Sequence, residues 1–413
     1  MSLNSRIPDI RSAPVRLLVL GVAVGLVAIL IWLAPPLVGH MQVVHAASLC
    51  EERPNDAEKV ACWMQMVAEE LRTAGMKPAY AIFSYLYEEY PAFGATGCHQ
   101  HAHAIGDVAY YEVYVAQGKT LQDMDFPQET TSCGYGFFHG FIEHLIQDHP
   151  DQAYVVETCE YLRERLSGTM RDIGTICYHA SGHGFMQSQA DTLSADEFGN
   201  ALRLVEAPLR SCDALPTNAK EMQDCREGVF NVLADWQIIE DFGLTFDFTD
   251  PFYLCERVAS KWRKACYYEL GMKLEPVTGD SPLKAGEYVS QITDRELRIM
   301  TFGVMVAGMM QRRAPLDTYT AIVDECIEVE DSDLFTHCIV SSANGMMEHG
   351  SPGKEYEKVL TVCRMPGLEA RGGQESCYRA LAHRLSRFYP EQKKVAICSE
   401  FPEKYRNICS TES

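Results

Sequence analysis

The spacing of the cysteines is the feature that most constrains the fold of this 413-residue chain. All 16 cysteines follow residue 49, and all but two fall into close pairs. The first cysteine of a pair ends an amphipathic stretch and the second begins another, which predicts two helices joined by a short loop and a disulfide. The pairs are Cys50 with Cys62, Cys159 with Cys177, Cys212 with Cys225, Cys255 with Cys266, Cys326 with Cys338, Cys363 with Cys377, and Cys398 with Cys409.

Two cysteines, Cys98 and Cys133, have no partner within a hairpin. Each begins the second helix of a repeat, and the two repeats are adjacent, so we predict a disulfide between them. Free thiols or a role in metal binding stay open as alternatives for this pair.

The second cysteines recur about every 40 residues, a period typical of stacked helical hairpins. One longer step leaves room for a repeat without cysteines, in which the segment 300–310 takes the place of the second helix and Met300 takes the cysteine position. The pattern therefore predicts an all-α fold, an α-solenoid of about ten disulfide-linked hairpins.

This arrangement, over most of residues 50–409, resembles the cysteine-rich Sel1-like, TPR-like repeat proteins. These are secreted arrays of helical hairpins with one disulfide per repeat. The resemblance implies an architecture for the chain and assigns no functional residue.

A long apolar segment precedes the cysteine-rich part. Residues 17–38 carry no charge and are numerous enough to span a bilayer. Arg6, Arg11 and Arg16 come before this segment, and the next basic residue is Arg53. The positive-inside rule then places the N-terminus in the cytoplasm and the cysteines on the other side.

We therefore predict a single-pass signal anchor in the inner (plasma) membrane, with most of the chain in the periplasm, where disulfides form. A cleaved signal peptide that ends near Ala46 is the alternative. The predicted organisation is a cytoplasmic segment (1–16), a transmembrane helix (17–38), a linker (39–49) and an extracytoplasmic helical domain (50–413) with a histidine-rich part (98–186).

Several functional classes lack support in the sequence. The formal net charge is −21, which argues against binding to nucleic acid, because phosphate backbones attract clustered Lys and Arg. No Cys-x-x-Cys-His motif is present, so covalent c-type haem is excluded. The phosphate-binding Gly-Lys-Ser/Thr loop and the Gly-x-Ser-x-Gly motif are missing too.

The histidines are concentrated in one part of the chain. Eight of the 13 fall between residues 99 and 183, in segments that begin second helices. Residues four apart share one helix face. Three such pairs are present, and they predict a metal site built by three neighbouring helices. The candidate ligands are His99 with His103, His139 with Glu143, and His179 with His183.

These ligand types suit a transition metal such as Fe, Zn, Cu or Mn. Non-covalent haem between two histidines stays open. Glu143 is a candidate ligand or general base. Packing and pH sensing are the alternatives for the cluster, and we interpret the nearby glycines as sites of close helix contact. These are Gly134, Gly136, Gly140, Gly182 and Gly184.

The position six residues after a second cysteine is often polar, which predicts a row of side chains along a shared groove. These positions are His139, His183, Asn231, Met272, Asn344 and His383. His99 and His103 lie one residue off this register. For His383, His337 and His349 taken singly we favour structural roles, and for His144 and His149 a surface or loop position.

Three functional hypotheses follow. The first is a membrane-associated metalloenzyme, either an oxidoreductase or a hydrolase. The second is a metal-binding protein without turnover. The third is a non-catalytic scaffold that binds a partner protein on the concave face of the solenoid, with the histidines incidental.

Overall fold

The computed structural model describes residues 43–411 apart from 96, 167, 169, 171, 191, 195–197 and 311–315. The predicted cytoplasmic segment (1–16) and membrane span (17–38) lie outside the described residues. Within them, the chain forms helices and no strand, as the all-α prediction requires.

The α-helices, in chain order, are α1 (43–51), α2 (Asp56–Ala74), α3 (Met76–Glu89), α4 (Pro91–Ala95), α5 (Cys98–Val108), α6 (Gly136–Asp148), α7 (Gln152–Leu166), α8 (Ile173–Ala190), α9 (Ala201–Asp213), α10 (Ala219–Ile238), α11 (Tyr253–Arg257), α12 (Ser260–Met272), α13 (Glu275–Thr278), α14 (Pro282–Val289), α15 (Arg295–Met309), α16 (Leu316–Glu328), α17 (Ser332–His349), α18 (Tyr356–Cys363), α19 (Pro366–Ala370), α20 (Gln374–Phe388), α21 (Glu391–Cys398) and α22 (Ile408–Thr411). A π-helical segment, Ala109–Val115, continues α5, and short 3-10 turns lie at Gln128–Thr131, Asp241–Gly243 and Glu403–Tyr405.

The prediction of a single-pass membrane protein is corrected. Over the described part of the chain, no helix combines the length and the apolar composition needed to cross a bilayer. This finding contradicts the predicted location in the inner membrane.

The chain divides into two compact units, residues 1–63 and residues 64–413. In the described part of the first unit, the Cys50–Cys62 disulfide joins α1 to α2. The indole nitrogen of Trp63 donates a hydrogen bond of 3.0 Å to the carbonyl of Ala47, which adds a second link between the same two helices.

All 16 cysteines are bonded, in eight disulfides, so the alternatives of free or metal-bound thiols do not hold. Each hairpin disulfide links two helices, as Cys212 near the end of α9 is linked to Cys225 in the second turn of α10. In the chain-entropy model, a bond that closes such a short loop stabilises by about 3 kcal/mol. Seven bonds join the pairs that the spacing predicts, namely Cys50 to Cys62, Cys159 to Cys177, Cys212 to Cys225, Cys255 to Cys266, Cys326 to Cys338, Cys363 to Cys377 and Cys398 to Cys409, and the eighth joins Cys98 to Cys133.

A series of helices forms the framework of the second unit. Successive neighbours in this series are α5, α6, α8, α10, α12, α15, α17 and α20. The helices that alternate with them in the chain pack against one or two members, as α7 does on α8 and α9 does on α8 and α10. Helix α15 covers the predicted cysteine-free repeat and packs on α14, in the hairpin arrangement of the other repeats.

Residues of the last two helices of the series, α17 and α20, contact residues that lie near its first helices. Arg387 of α20 forms an ion pair of 3.0 Å with Asp172, which directly precedes α8. The side chain of Gln128 donates to the carbonyl of Phe388 at 3.1 Å. The Tyr87 hydroxyl donates to the carbonyl of His349 at 3.1 Å. Within the second unit these contacts bring side chains from α5 to α12 and from α17 and α20 around one cavity of about 620 Å³.

Glycines set the distance between the first helices of the series. A β-carbon at Gly136 or Gly140 would collide with the carbonyl of His99 or His103 on α5. Similar contacts bring Gly182 of α8 against α10 and Gly184 against the carbonyl of Glu143. Close packing of α-helices therefore accounts for these glycines, and they leave no space for a ligand against the backbone.

Candidate metal centre

The structure brings all six predicted ligands into one cluster on the cavity wall. The ring centroids of His99 and His139 are 4.8 Å apart. The ring of His139 lies 5.0 Å from that of His179 and 5.3 Å from that of His183. The rings of His179 and His183 are 5.0 Å apart.

Three of the six, His103, Glu143 and His183, have ligand atoms that lie within 4.8 Å of one another. One carboxylate oxygen, Oε2 of Glu143, is 2.9 Å from Nδ1 of His183 and 3.3 Å from Nε2 of His103. Metal–ligand bonds of about 2.0–2.2 Å put neighbouring donor atoms about 3.0–3.5 Å apart. The spacing around Glu143 therefore matches the edges of a coordination polyhedron, and we call these three residues the first cluster.

Hydrogen bonds within the first cluster set the protonation states of His103 and Glu143. Burial lowers the pKa of His103, but its bonds to Asp107 and Glu143 outweigh burial and raise the pKa to about 10. Burial raises the pKa of Glu143, but the bonds to His103 and His183 outweigh it and hold the pKa far below its usual range. Without a metal, the first cluster at neutral pH is thus an imidazolium held between carboxylates.

A chain of hydrogen bonds fixes the tautomers of His99 and His139. The carbonyl of Cys133 can only accept, so Nδ1–H of His99 donates to it, at 2.9 Å. Neutral His99 then has a lone pair on Nε2, which accepts from Nδ1–H of His139 at 3.1 Å. The remaining nitrogen of His139, Nε2, is left with its lone pair, as a metal ligand requires.

The backbone that supplies this carbonyl has an unusual conformation. Cys133, Gly134 and Tyr135 all have φ near +60°, which only glycine adopts without strain. The left-handed turn leads directly into α6 and aims the Cys133 carbonyl at α5. Strain of this kind is concentrated at functional sites.

One nitrogen of His183 has no hydrogen-bond partner among the described residues. Nδ1–H donates to Glu143, so Nε2 carries the lone pair, and it is buried in a residue that is only 4% exposed. A buried acceptor without a partner costs free energy, about 1–3 kcal/mol. In the metal-free protein the proton on Nδ1 therefore lies between His183 and Glu143, and a metal bound by these two residues displaces it.

Burial keeps the other histidines of the cluster uncharged. It lowers the pKa of His99 to about 3, helped by the nearby His349 and His103. Burial also holds the pKa values of His139 and His179 well below the usual range, with neighbouring imidazoles adding to the effect.

The structure adds a group that sequence analysis missed. His179, Glu227 and Glu269 also have ligand atoms within 4.8 Å of one another, and we call them the second cluster. Burial raises the pKa of Glu227 to about 7 and that of Glu269 to about 8. The repeat register could have indicated Glu227, because it is the second residue after Cys225 just as His179 is the second after Cys177.

The predicted polar row lies partly in the cavity. Asn231 and Met272 line it together with His139 and His183. Asn344 instead accepts a hydrogen bond of 2.9 Å from Nε of Arg384, and His383 is exposed.

Other histidines have separate environments. His101 is buried, stacks on Phe93 and bonds to its carbonyl, so it faces away from the cluster. His144 lies 3.3 Å from Asp107. His149 and His337 are exposed, whereas His349 lines the cavity near His99.

No protein-family model matches the chain, and no curated protein and no solved structure matches it. The resemblance to Sel1-like, TPR-like repeats therefore stays a prediction. So does the number of about ten repeats.

Proposed function

We propose that this protein binds a divalent transition metal through the first cluster, His103, Glu143 and His183. The observation that carries the proposal is the position of Glu143. Its carboxylate is buried, 6% exposed, and one oxygen lies at ligand-to-ligand distance from two imidazoles on two different helices. Packing alone gives no reason to gather a buried carboxylate and so many imidazoles at one place.

The donor atoms narrow the choice of metal. Two imidazole nitrogens and one carboxylate oxygen suit Zn²⁺, Fe²⁺ or Mn²⁺. No free thiol is found in the chain, since every cysteine is in a disulfide. Soft thiolate coordination, which favours Cu⁺, is therefore excluded among the described residues. Haem between two histidines needs imidazoles that face each other across the porphyrin, whereas these rings contact one another directly.

We further propose that the metal serves a reaction on a small molecule. Three protein ligands leave coordination positions for water and substrate. The cavity of about 620 Å³ is in the size range of small-molecule sites. The two-His, one-carboxylate set is used both by zinc hydrolases and by iron oxygenases. Activity that is restored by Zn²⁺ or Mn²⁺ would indicate a hydrolytic reaction. Activity that requires both Fe²⁺ and oxygen would indicate an oxidation.

The test uses the full-length protein, stripped with a chelator and titrated with Zn²⁺. His103→Ala, Glu143→Gln and His183→Ala each remove one donor, so each is expected to lower the bound metal by about one equivalent. His337→Ala, at an exposed position, is the matched control and is expected to bind as the unmodified protein does. Metal content that none of the three cluster variants changes would overturn the proposal.

Binding of a partner protein on a concave face stays a prediction. No contact or charge pattern of the described residues favours it over the metal site.

A further inference from the structure

We propose that the second cluster, His179, Glu227 and Glu269, is a second divalent-cation site, so that the cavity wall holds a centre of two metals. This inference rests on the proposed function of the first cluster and extends it.

The first argument is geometric. The three side chains come from successive helices of the series, α8, α10 and α12, and their ligand atoms lie within 4.8 Å of one another. Glu269 is 1% exposed, and its orientation is set by Asn231, whose side-chain amide donates to Oε2 at 2.6 Å. A hydrogen bond from a neutral amide holds the carboxyl group in place and supplies no positive charge.

The second argument is the charge of the cavity wall. Four of its carboxylates are paired with a Lys or Arg: Asp172 with Arg387, Asp224 with Lys220, Asp235 with Lys273 and Glu348 with Arg384. Three carboxylates of the wall, Glu143, Glu227 and Glu269, have no Lys or Arg within 4 Å among the described residues.

These three are the carboxylates that belong to the two clusters. Buried carboxylates are normally paired or coordinate a metal, because an isolated buried charge is costly. Every other negative charge of the described wall has its cation within the protein. The cations missing from Glu227 and Glu269 are therefore expected from outside, whereas in the metal-free protein Glu143 has the His103 imidazolium beside it.

The third argument is adjacency. The ring of His179, in the second cluster, is 5.0 Å from the ring of His183, in the first. The Nε2 atom of His183 is also buried and, among the described residues, without a hydrogen-bond partner. Paired metal sites share one pocket in this way, and their two ions clamp the attacking and leaving oxygens of a substrate.

The donors indicate the class of cation. One imidazole and two carboxylates make the second cluster richer in oxygen than the first, which favours Mn²⁺, Fe²⁺ or Zn²⁺ over Cu²⁺. Mn²⁺ is the most informative probe, because two neighbouring Mn²⁺ ions interact magnetically and a single ion does not.

The experiment titrates metal-free full-length protein with Mn²⁺ and records stoichiometry and electron paramagnetic resonance spectra. We expect about two equivalents and a spectrum of coupled ions. Glu269→Gln and Glu227→Gln keep the side-chain volume and remove a charge, and each is expected to bind about one equivalent with the spectrum of an isolated ion. Asp235→Asn is the matched control on the same wall, because Lys273 already pairs with Asp235, and it is expected to bind about two.

The outcomes separate the two proposals. One equivalent in the unmodified protein, lost in His183→Ala and kept in Glu269→Gln, would overturn the second site and leave the first. No bound metal in the unmodified protein would overturn both. Two equivalents that persist in Glu269→Gln and in Glu227→Gln would place the second ion elsewhere and overturn the inference. Circular dichroism of each variant checks that the helices are retained.

Discussion

Gly140 of α6 lies directly against the main-chain carbonyl of His103 on α5, with no room for a β-carbon between them. This contact brings α5 close enough for the His103 side chain to reach Glu143 at 3.3 Å. The glycine thus acts on the metal centre through the distance between two helices.

Gly140→Ala is expected to weaken both the fold and the site. The new methyl group meets the carboxylate of Asp107 and also the backbone carbonyl of His103, which cannot move away alone, so the helices must separate, at a cost of about 1–3 kcal/mol. Loosening the support of a ligand typically lowers metal affinity about 10- to 100-fold. Urea denaturation and Zn²⁺ titration measure the two effects.

Gly286→Ala in α14 is the matched control. A β-carbon at Gly286 would lie 3.9 Å from its nearest neighbour, a ring carbon of Phe302, which is an ordinary van der Waals contact. Alanine is the better helix former, so this change is expected to be neutral or stabilising by up to about 1 kcal/mol. Equal effects of the two substitutions would contradict the role given to Gly140.

Local patterns in the sequence were sufficient for the hairpins and for the paired ligands. A cysteine at the end of one amphipathic stretch and another at the start of the next specify a disulfide across a short loop, as in Cys326–Cys338. Likewise, His179 and His183 lie four residues apart on one helix, so the helical repeat alone puts them on the same face.

Relations between distant parts of the chain were not predictable in this way. Glu227 and Glu269 approach His179 only because α10 and α12 pack in sequence beside α8. The register offset of His99 and His103 is explained by the bond from Cys98 to Cys133, which ties α5 to the turn before α6 instead of closing a hairpin. Neither relation produces a periodic pattern within a single segment of the sequence, so neither could be predicted from such a pattern.

Metal binding at neutral pH is expected to release about one proton from His103. Its pKa of about 10 means that the imidazole is protonated without metal, and a ligand must be neutral. Affinity for Zn²⁺ should therefore rise about tenfold per pH unit between pH 7 and the pKa. Calorimetry in buffers of different ionisation enthalpy counts the protons.

Asp107→Asn provides the comparison. Asp107 lies 3.3 Å from Nδ1 of His103 and helps to hold its proton. With the amide in its place, the pKa of His103 is expected to fall and fewer protons to be released at pH 7. A binding heat that does not depend on the buffer in the unmodified protein would show that His103 is not a ligand.

Removal of the Cys98–Cys133 disulfide is expected to affect the metal site as well as stability. Cys98 directly precedes His99, and the Cys133 carbonyl accepts the hydrogen bond from that histidine. The two cysteines of this disulfide are 35 residues apart in the sequence, which corresponds to a stabilisation of about 4 kcal/mol in the chain-entropy model. The double variant that combines Cys98→Ala with Cys133→Ala should lose that stability and bind Zn²⁺ about tenfold or more weakly.

A double variant that combines Cys363→Ala with Cys377→Ala is the control for a disulfide distant from the cluster. Its separation of 14 corresponds to about 3 kcal/mol, and metal affinity is expected to be unchanged. Equal losses of metal affinity in both double variants would mean that the effect is global rather than local.

Acid is expected to destabilise the metal-free protein because the cluster holds its histidines neutral. The pKa of His99 is lowered to about 3, and those of His139 and His179 lie well below the ordinary value. The unfolded chain binds protons on these residues near pH 6.5, so stability falls as the pH drops below that value. The slope is about 1.4 kcal/mol per pH unit for each histidine.

The opposite shift of His103 does not cancel this slope. A raised pKa stabilises the fold fully below about pH 6.5 and loses that effect only as the pH rises toward 10. Glu143, whose pKa is lowered, adds its own acid sensitivity only below about pH 4.3, the ordinary value for the unfolded chain. Between about pH 6.5 and 4.5 the raised pKa values of Glu227 and Glu269 add a slope of opposite sign, because the folded protein keeps protons that the unfolded chain has lost. The contribution of one histidine is therefore read from the change in slope that its substitution causes.

His139→Phe tests this assignment, since it keeps an apolar ring in the cluster and removes one titrating group. Urea denaturation at intervals across this pH range should give a slope lower by about 1.4 kcal/mol per pH unit than in the unmodified protein. His149→Phe, at an exposed position, should leave the slope unchanged. A slope that His139→Phe does not alter would mean that His139 is protonated in the folded protein. A protonated imidazole has no lone pair, so His139 could not then bind a metal.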